Sequence, residues 1–116
     1  MLQGTVNAKR DSIVTLMVDG KTWPAIIDSG FNGDLELPES LRLPLKAVRI
    51  GRSHTSLAGG QSIVEDVYEL LFDFDGEQVR AQATFVPDAQ ILVGARLMRR
   101  HRLEIDYPNR TVRLER

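Results

Sequence analysis

A chain of 116 residues is long enough for one domain with its own core and too short for two. Its 42% hydrophobic and 27% charged residues are those of a soluble globular protein, and a formal net charge of −1 gives no global pull toward nucleic acid or anionic membrane. With no cysteine there is no disulfide framework, thiolate nucleophile or Cys-ligated zinc site. Two distant histidines, His54 and His101, offer little to a His-rich metal site or a Ser-His-Asp triad, so neither metal nor cofactor is expected.

Met1 to Gly4 lacks the basic-then-apolar build of a signal peptide, and no apolar run approaches the ~18 residues of a membrane span, so the expected compartment is the cytoplasm. Ser12 to Val18 is rich in β-branched residues and apolar on both faces, which predicts a strand covered on both sides. Asp19-Gly20 signals a tight hairpin, and Lys21 to Ile27 returns to deliver Asp28 at its end. Pro24 cannot donate a ladder hydrogen bond and belongs at an edge or bulge. Asp34 to Leu37 predicts a short strand, and Glu39 to Leu43 at most a helical turn stopped by Pro44.

Lys46 to Ile50 predicts a strand, and Gly59-Gly60 a hairpin tip. From Ile63 to Phe74 the residues alternate, with Val64, Tyr68, Leu70, Phe72 and Phe74 on one face and Glu65, Glu69 and Asp73 on the other, solvated face. Asp75-Gly76 turns the chain into a second alternating run, Glu77 to Val86. Ile91 to Val93 is a short apolar strand closed by Gly94. Ala95 to His101 has the composition of a short helix with a basic end at Arg99, Arg100 and Arg102. Leu103 to Asp106 and Thr111 to Leu114 form a last hairpin around a turn with Pro108 at its second position. The expected class is all-β with one short helix in the C-terminal half.

The chemistry converges on Asp28-Ser29-Gly30-Phe31-Asn32-Gly33. A carboxylate at the tip of an apolar strand is costly to desolvate, although Asp, Ser and Gly are also ordinary turn residues. Three features follow in order: this strand-ending Asp-Ser-Gly, the glycine-tipped hairpin Ala58-Gly59-Gly60, and the apolar segment Ile91 to Gly94. In that order they resemble the retropepsin-like aspartic proteases, the clan that contains the retroviral proteases. More narrowly, Asp28 to Pro38 is similar to a small prokaryotic branch whose motif reads D-T-G-F-x-G, then an apolar strand and Pro.

The resemblance spans about Val14 to Leu114 and implies a closed β-barrel subunit, here of residues 1–116, with a flap hairpin. It implies a homodimer, because each subunit supplies one catalytic Asp and the chain has no second Asp-[Ser/Thr]-Gly. Two such carboxylates around a shared water cannot both ionise easily and hold one proton between them. The protonated member polarises the peptide carbonyl while the ionised one takes a proton from the attacking water.

On that resemblance Asp28 is catalytic, with Ser29 and Gly30 supporting the catalytic loop. Phe31, Asn32, Ala58, Gly59 and Gly60 line the substrate, and Gly94 packs beneath the loop. Phe31 reads equally as a core plug. Ser29 departs from the family's Thr, keeping the hydroxyl that braces the dyad and losing a methyl. The implied activity is cofactor-free aspartic endopeptidase action on an extended polypeptide, without nucleic acid or membrane as partner. Two other readings stay open: a non-catalytic dimeric peptide- or protein-binding module on the same fold, and a generic small β-barrel whose Asp-Ser-Gly is only a turn.

Overall fold

The computed structural model describes residues 1–87 and 90–116. Ten strands make one sheet: β1 (Leu2–Val6), β2 (Ser12–Val18), β3 (Lys21–Ile27), β4 (Leu35–Pro38), β5 (Val48–Ser56), β6 (Ser62–Phe74), β7 (Glu77–Val86), β8 (Ile91–Val93), β9 (Arg102–Asp106) and β10 (Thr111–Glu115). Two Asp-Gly pairs make its tightest hairpins. Asp19 and Gly20 take φ of 51° and 74°, and Asp75 and Gly76 take 51° and 80°, the left-handed pair that a two-residue connection between twisted strands demands.

Strand order is β5-β6-β7-β4-β8-β3-β2-β1-β10-β9. The sheet curls over one core built from Val14, Leu16, Leu35, Leu37, Phe72, Ala81, Ile91 and Leu114. Among the described residues it does not close into the expected barrel: β5 pairs with β6 alone and β9 with β10 alone, so both ends remain edges. The expected helix over Ala95–His101 is also absent. That stretch is a run of turns, held by a 3.4 Å bond from the Met98 N–H to the Gly94 carbonyl and a 2.8 Å bond from His101 to Met98. So short a segment between two strands cannot repay the cost of helix nucleation. The described residues contain one helical element, a 3-10 turn at Glu39–Leu41, and no helix long and apolar enough to cross a membrane.

Other expectations need adjustment. Strand β2 is covered on one face only: Val14, Leu16 and Val18 are buried, whereas Thr15 and Met17 are exposed. Strand β5 runs past Ile50 through an irregularity between Arg49 and Gly51 and reaches Ser56. Pro24 lies in β3 one residue before pairing with β8 begins at Ala25, so on that side the strand is still an edge. Strand β1, absent from the sequence reading, pairs with both β2 and β10.

The ends of the chain meet at the β6–β7 turn. Asp75, its side chain 4% exposed, accepts from the Met1 ammonium at 2.5 Å and stands 3.0 Å from Nε2 of His101, itself 6% exposed. Arg116 donates to the Asp75 carbonyl at 2.9 Å, and Phe74 packs edge-on against the His101 ring. The His101 side chain is therefore largely buried. Burial would raise the Asp75 carboxyl, but hydrogen bonds from the ammonium and His101, with Arg116 nearby, hold it below its ordinary value.

A depressed carboxyl stabilises the fold fully above its ordinary value of 3.8 and loses that contribution as pH falls through the lowered value. Asp75→Asn is expected to cost about 1.5–3 kcal/mol at pH 7, the range for hydrogen bonds to charged groups. Denaturant titrations from pH 7 to pH 2 check this: the deficit should shrink below pH 4, and a constant deficit would contradict the assignment.

Candidate active site

The parallel pairing of β3 with β8, and the antiparallel pairing of β8 with β4, put the ends of three elements side by side. Asp28 extends β3 by one step, its N–H donating to the Val93 carbonyl at 2.9 Å. The turn then closes on itself: Gly30 N–H donates to Asp28 Oδ1 at 3.1 Å, and Phe31 N–H to the Asp28 carbonyl at 3.1 Å. The carboxylate is half-buried with one oxygen fixed by a backbone donor, while Ser29, Gly30 and Asn32 are exposed. Nothing within the chain demands glycine at 30, since its φ is not left-handed and an added Cβ would meet only Asp28 Oδ1, at 3.4 Å.

Beneath the turn, segment 31–34 is laced to segment 94–96. Gly94 N–H donates to the Asp34 carbonyl at 2.9 Å, Ala95 N–H to Phe31 at 2.7 Å, and Arg96 N–H to Gly33 at 3.2 Å. The approach is too close for a side chain: a Cβ on Gly94 would fall 2.1 Å from the Gly33 carbonyl oxygen and 2.8 Å from that of Phe31. Phe31 is half-buried, with its ring against Gly33 and Gly94, and it also edges a cavity.

Asp34 was read from the sequence as the start of a strand, yet its side chain is 2% exposed. Its Oδ2 accepts from the Gln82 backbone N–H at 2.9 Å and from Arg96 Nη1 at 2.7 Å, which ties the loop to β7 and to the turn after β8. Its Oδ1 is buried without a partner. The one sequence clue was an acid directly after Gly33, which does not distinguish a buried anchor from a surface turn.

The Ala58-Gly59-Gly60 tip lies in the β5–β6 hairpin, far from the laced segments in sequence. Gly59 and Gly60 take φ of 88° and 81°, and Leu57 N–H closes the tip on the Gln61 carbonyl at 2.7 Å. All three tip residues are exposed. A cavity of about 270 Å³ opens between the base of this hairpin (Ser53, Val67), the loop (Phe31, Asp34) and Thr84 and Arg96.

Glu36 and Glu65 were not expected here. Register places Ile26, Leu92, Glu36 and Thr84 in one row across β3, β8, β4 and β7, on the face that Asp28 continues. Glu65, assigned above to a solvated face, is half-buried on β6 opposite Ser53. Burial first, then Glu65, then Asp28 push the Glu36 carboxyl above its ordinary value. Two members of the basic run after Gly94 are engaged locally: Arg99 Nη1 donates to the Arg96 carbonyl at 2.9 Å, and Arg102 pairs with Glu104.

Two outcomes follow. Gly94→Ala is expected to destabilise the fold by about 1–3 kcal/mol, the scale of overpacking in a close-packed site, read as a lower denaturant midpoint. A raised carboxyl favours the folded state most below its ordinary value of 4.5, and that advantage is lost as pH rises. Glu36→Gln should therefore raise the melting temperature at pH 7 and give no gain below pH 4.5; equal gains at both would contradict the placement.

No protein-family model and no curated protein matches the sequence. Solved structures do. The retropepsin-like aspartic protease from Rickettsia conorii superposes with a TM-score of 0.66 at 16% identity, over 97% of this chain and 87% of that one. The protease of simian foamy virus (mac) gives 0.59 at 23% identity, over 75% of this chain and 91% of its own. A foamy viral protease-reverse transcriptase, solved with double-stranded DNA, gives 0.60 at 19% identity over 80% of this chain but only 16% of that far longer one. At these identities the likeness is one of architecture: the chain has a retropepsin-like aspartic-protease fold.

Proposed function

We propose that the protein is a homodimeric aspartic endopeptidase in which Asp28 from each of two chains activates one water against a peptide bond. The supporting observation is the Asp28 turn itself. A carboxylate anchored by the Gly30 N–H stands at the exposed tip of an apolar strand, on a base stitched tightly from below. The bond to Gly30 is one that any Asx turn makes, so the support comes from the half-buried carboxylate standing on a base so tightly stitched. On this reading the protein belongs to the small prokaryotic branch, a proposal supported by the likeness of Asp28-Ser29-Gly30-Phe31 to D-T-G-F.

In the proposed cycle the two Asp28 carboxyls share one proton because like charges so close cannot both ionise. The ionised member removes a proton from water as the oxygen attacks the carbonyl carbon, and the protonated member donates to the carbonyl oxygen. A tetrahedral diol results, and its collapse with proton transfer to the amine breaks the C–N bond. Ser29 offers its hydroxyl to brace the partner loop. The β5–β6 hairpin acts as the flap, with Ala58, Gly59 and Gly60 closing over the extended chain and excluding water. Asn32 lies beside the substrate backbone.

Gly30 carries a separable part of the proposal. Since the single chain leaves room for a Cβ there, the need for glycine comes from a second loop approaching across the axis. Gly30→Ala is expected to keep the wild-type melting temperature of the monomer while weakening self-association in sedimentation. Asp28→Asn is expected to abolish cleavage of a diverse peptide pool, by about 10³-fold or more at mildly acidic pH. Silence from wild type and variant alike, with peptide retained by both, would replace the enzyme with a binding module.

A further inference from the structure

Of the two ends of the sheet, one is blunted and the other is open. Strand β5 carries an irregularity between Arg49 and Gly51, and its Arg49 and Arg52 reach back to Asp66 on β6. Bulges and charges of that kind discourage a further strand from pairing. Strand β9 has no such bulge: all five of its residues pair in unbroken register with β10, and no proline or lysine interrupts it. Leu103 and Ile105 pack on the core yet stay half-buried, because among the described residues nothing pairs with the far side of β9. A cavity of about 700 Å³ opens along these two residues and reaches Pro108 and Tyr107, which is 54% exposed.

The charges on this strand form a pattern that fits itself. On one face of the hairpin Arg102 stands opposite Glu115 and Glu104 opposite Arg113, so unlike charges face each other across the strands. A further strand that continues the pattern brings an acid to Arg102 and a base to Glu104. A second β9 does so when it runs antiparallel about an axis through Leu103, which sets Glu104 of the partner subunit against Arg102 and the partner's Arg102 against Glu104. Moving the axis to Glu104 puts two glutamates face to face, and moving it to Ile105 puts Glu104 against Asp106; like charges directly opposite are unfavourable. Arg102 and Glu104 are both exposed, and their 3.0 Å contact along the strand leaves donors and acceptors over for a neighbour.

We propose that β9 is the edge through which two copies of this chain join, antiparallel and centred on Leu103, so that two sheets become one. This assignment rests on the protease reading above, under which one chain holds half of the catalytic pair, and adds to it the surface that recruits the other half.

Two charge variants test it, because each should fail alone and succeed with the other. In a pair of like chains Glu104→Arg sets base against base, and Arg102→Glu sets acid against acid. Each is expected to raise the dimer dissociation constant, read by sedimentation, by about tenfold or more. Mixed in equal amounts, the two variants restore both unlike pairs, and association should return toward the wild-type constant. Mixing does not rescue a chain that has merely misfolded. Variants that dimerise like wild type, or a mixture that stays monomeric, overturn the β9 edge and leave the protease reading standing.

The chain has no cysteine, so single cysteines report the register. Opposite residues of an antiparallel pair have Cα atoms ~4.5–5.5 Å apart, within reach of a disulfide. Leu103→Cys should therefore form a covalent dimer on oxidation, and Glu104→Cys should do so far less. Preference for position 104, or no cross-link at 103, overturns the proposal. Cleavage of a diverse peptide pool separates the two claims. Dimers that depend on Arg102 and Glu104 but cut nothing would support the interface and defeat the protease reading, whereas a wild type that stays monomeric at high concentration defeats both.

Discussion

Two backbone segments far apart in sequence, 31–34 and 94–96, approach so closely at Gly94 that no side chain fits between them. Everything near Asp28 is set by that contact. Backbone donors of 94–96 are used up on carbonyls of 31–34, so the turn carrying Asp28 cannot relax independently of the end of β8. Asp34 adds a side-chain tie to the same junction, since one of its oxygens receives both the β7 backbone and Arg96. A fixed base of this kind is what a reacting carboxylate requires, because small displacements of catalytic groups are costly in rate.

The same junction explains what the sequence could and could not disclose. Strands with period-two alternation and Asp-Gly turns were legible because local chemistry decides them: β7 and the hairpin tips at 19–20 and 75–76 lie where the residues put them. Closure of the barrel was not legible, because it depends on whether distant edge strands meet, and β5 and β9 do not. Strand β1 escaped for a related reason. Its short, mixed sequence becomes a strand only through the partners that β2 and β10 supply.

Within the site, Asp28 to Gly30 stood out as a motif, but the residues around it had no local signal. Asp34 looks like any turn acid until β7 and Arg96 close over it. Glu65 belongs to an alternating strand whose acidic face reads as solvated. That rule held for Asp73, which is exposed, and failed for Glu65, which is half-buried near the start of β6. Glu36 shows the same limit, since a single acid in a short apolar strand says nothing about which neighbours it will face.

Fold and site thus support one physical picture. A chain with retropepsin-like architecture holds Asp28 on a fixed turn flanked by exposed Ser29 and Gly30, and on the proposed reading that turn is half of a catalytic pair.

The central claim is that one active site needs an Asp28 from each of two chains. Equilibrating wild type with Asp28→Asn at fixed total concentration, and measuring peptide cleavage across mixing ratios, tests it most directly. Activity that follows the square of the wild-type fraction is the expected result, because mixed dimers hold only one carboxylate. Activity that falls in simple proportion to the wild-type fraction would show that each chain works alone, and would contradict the account.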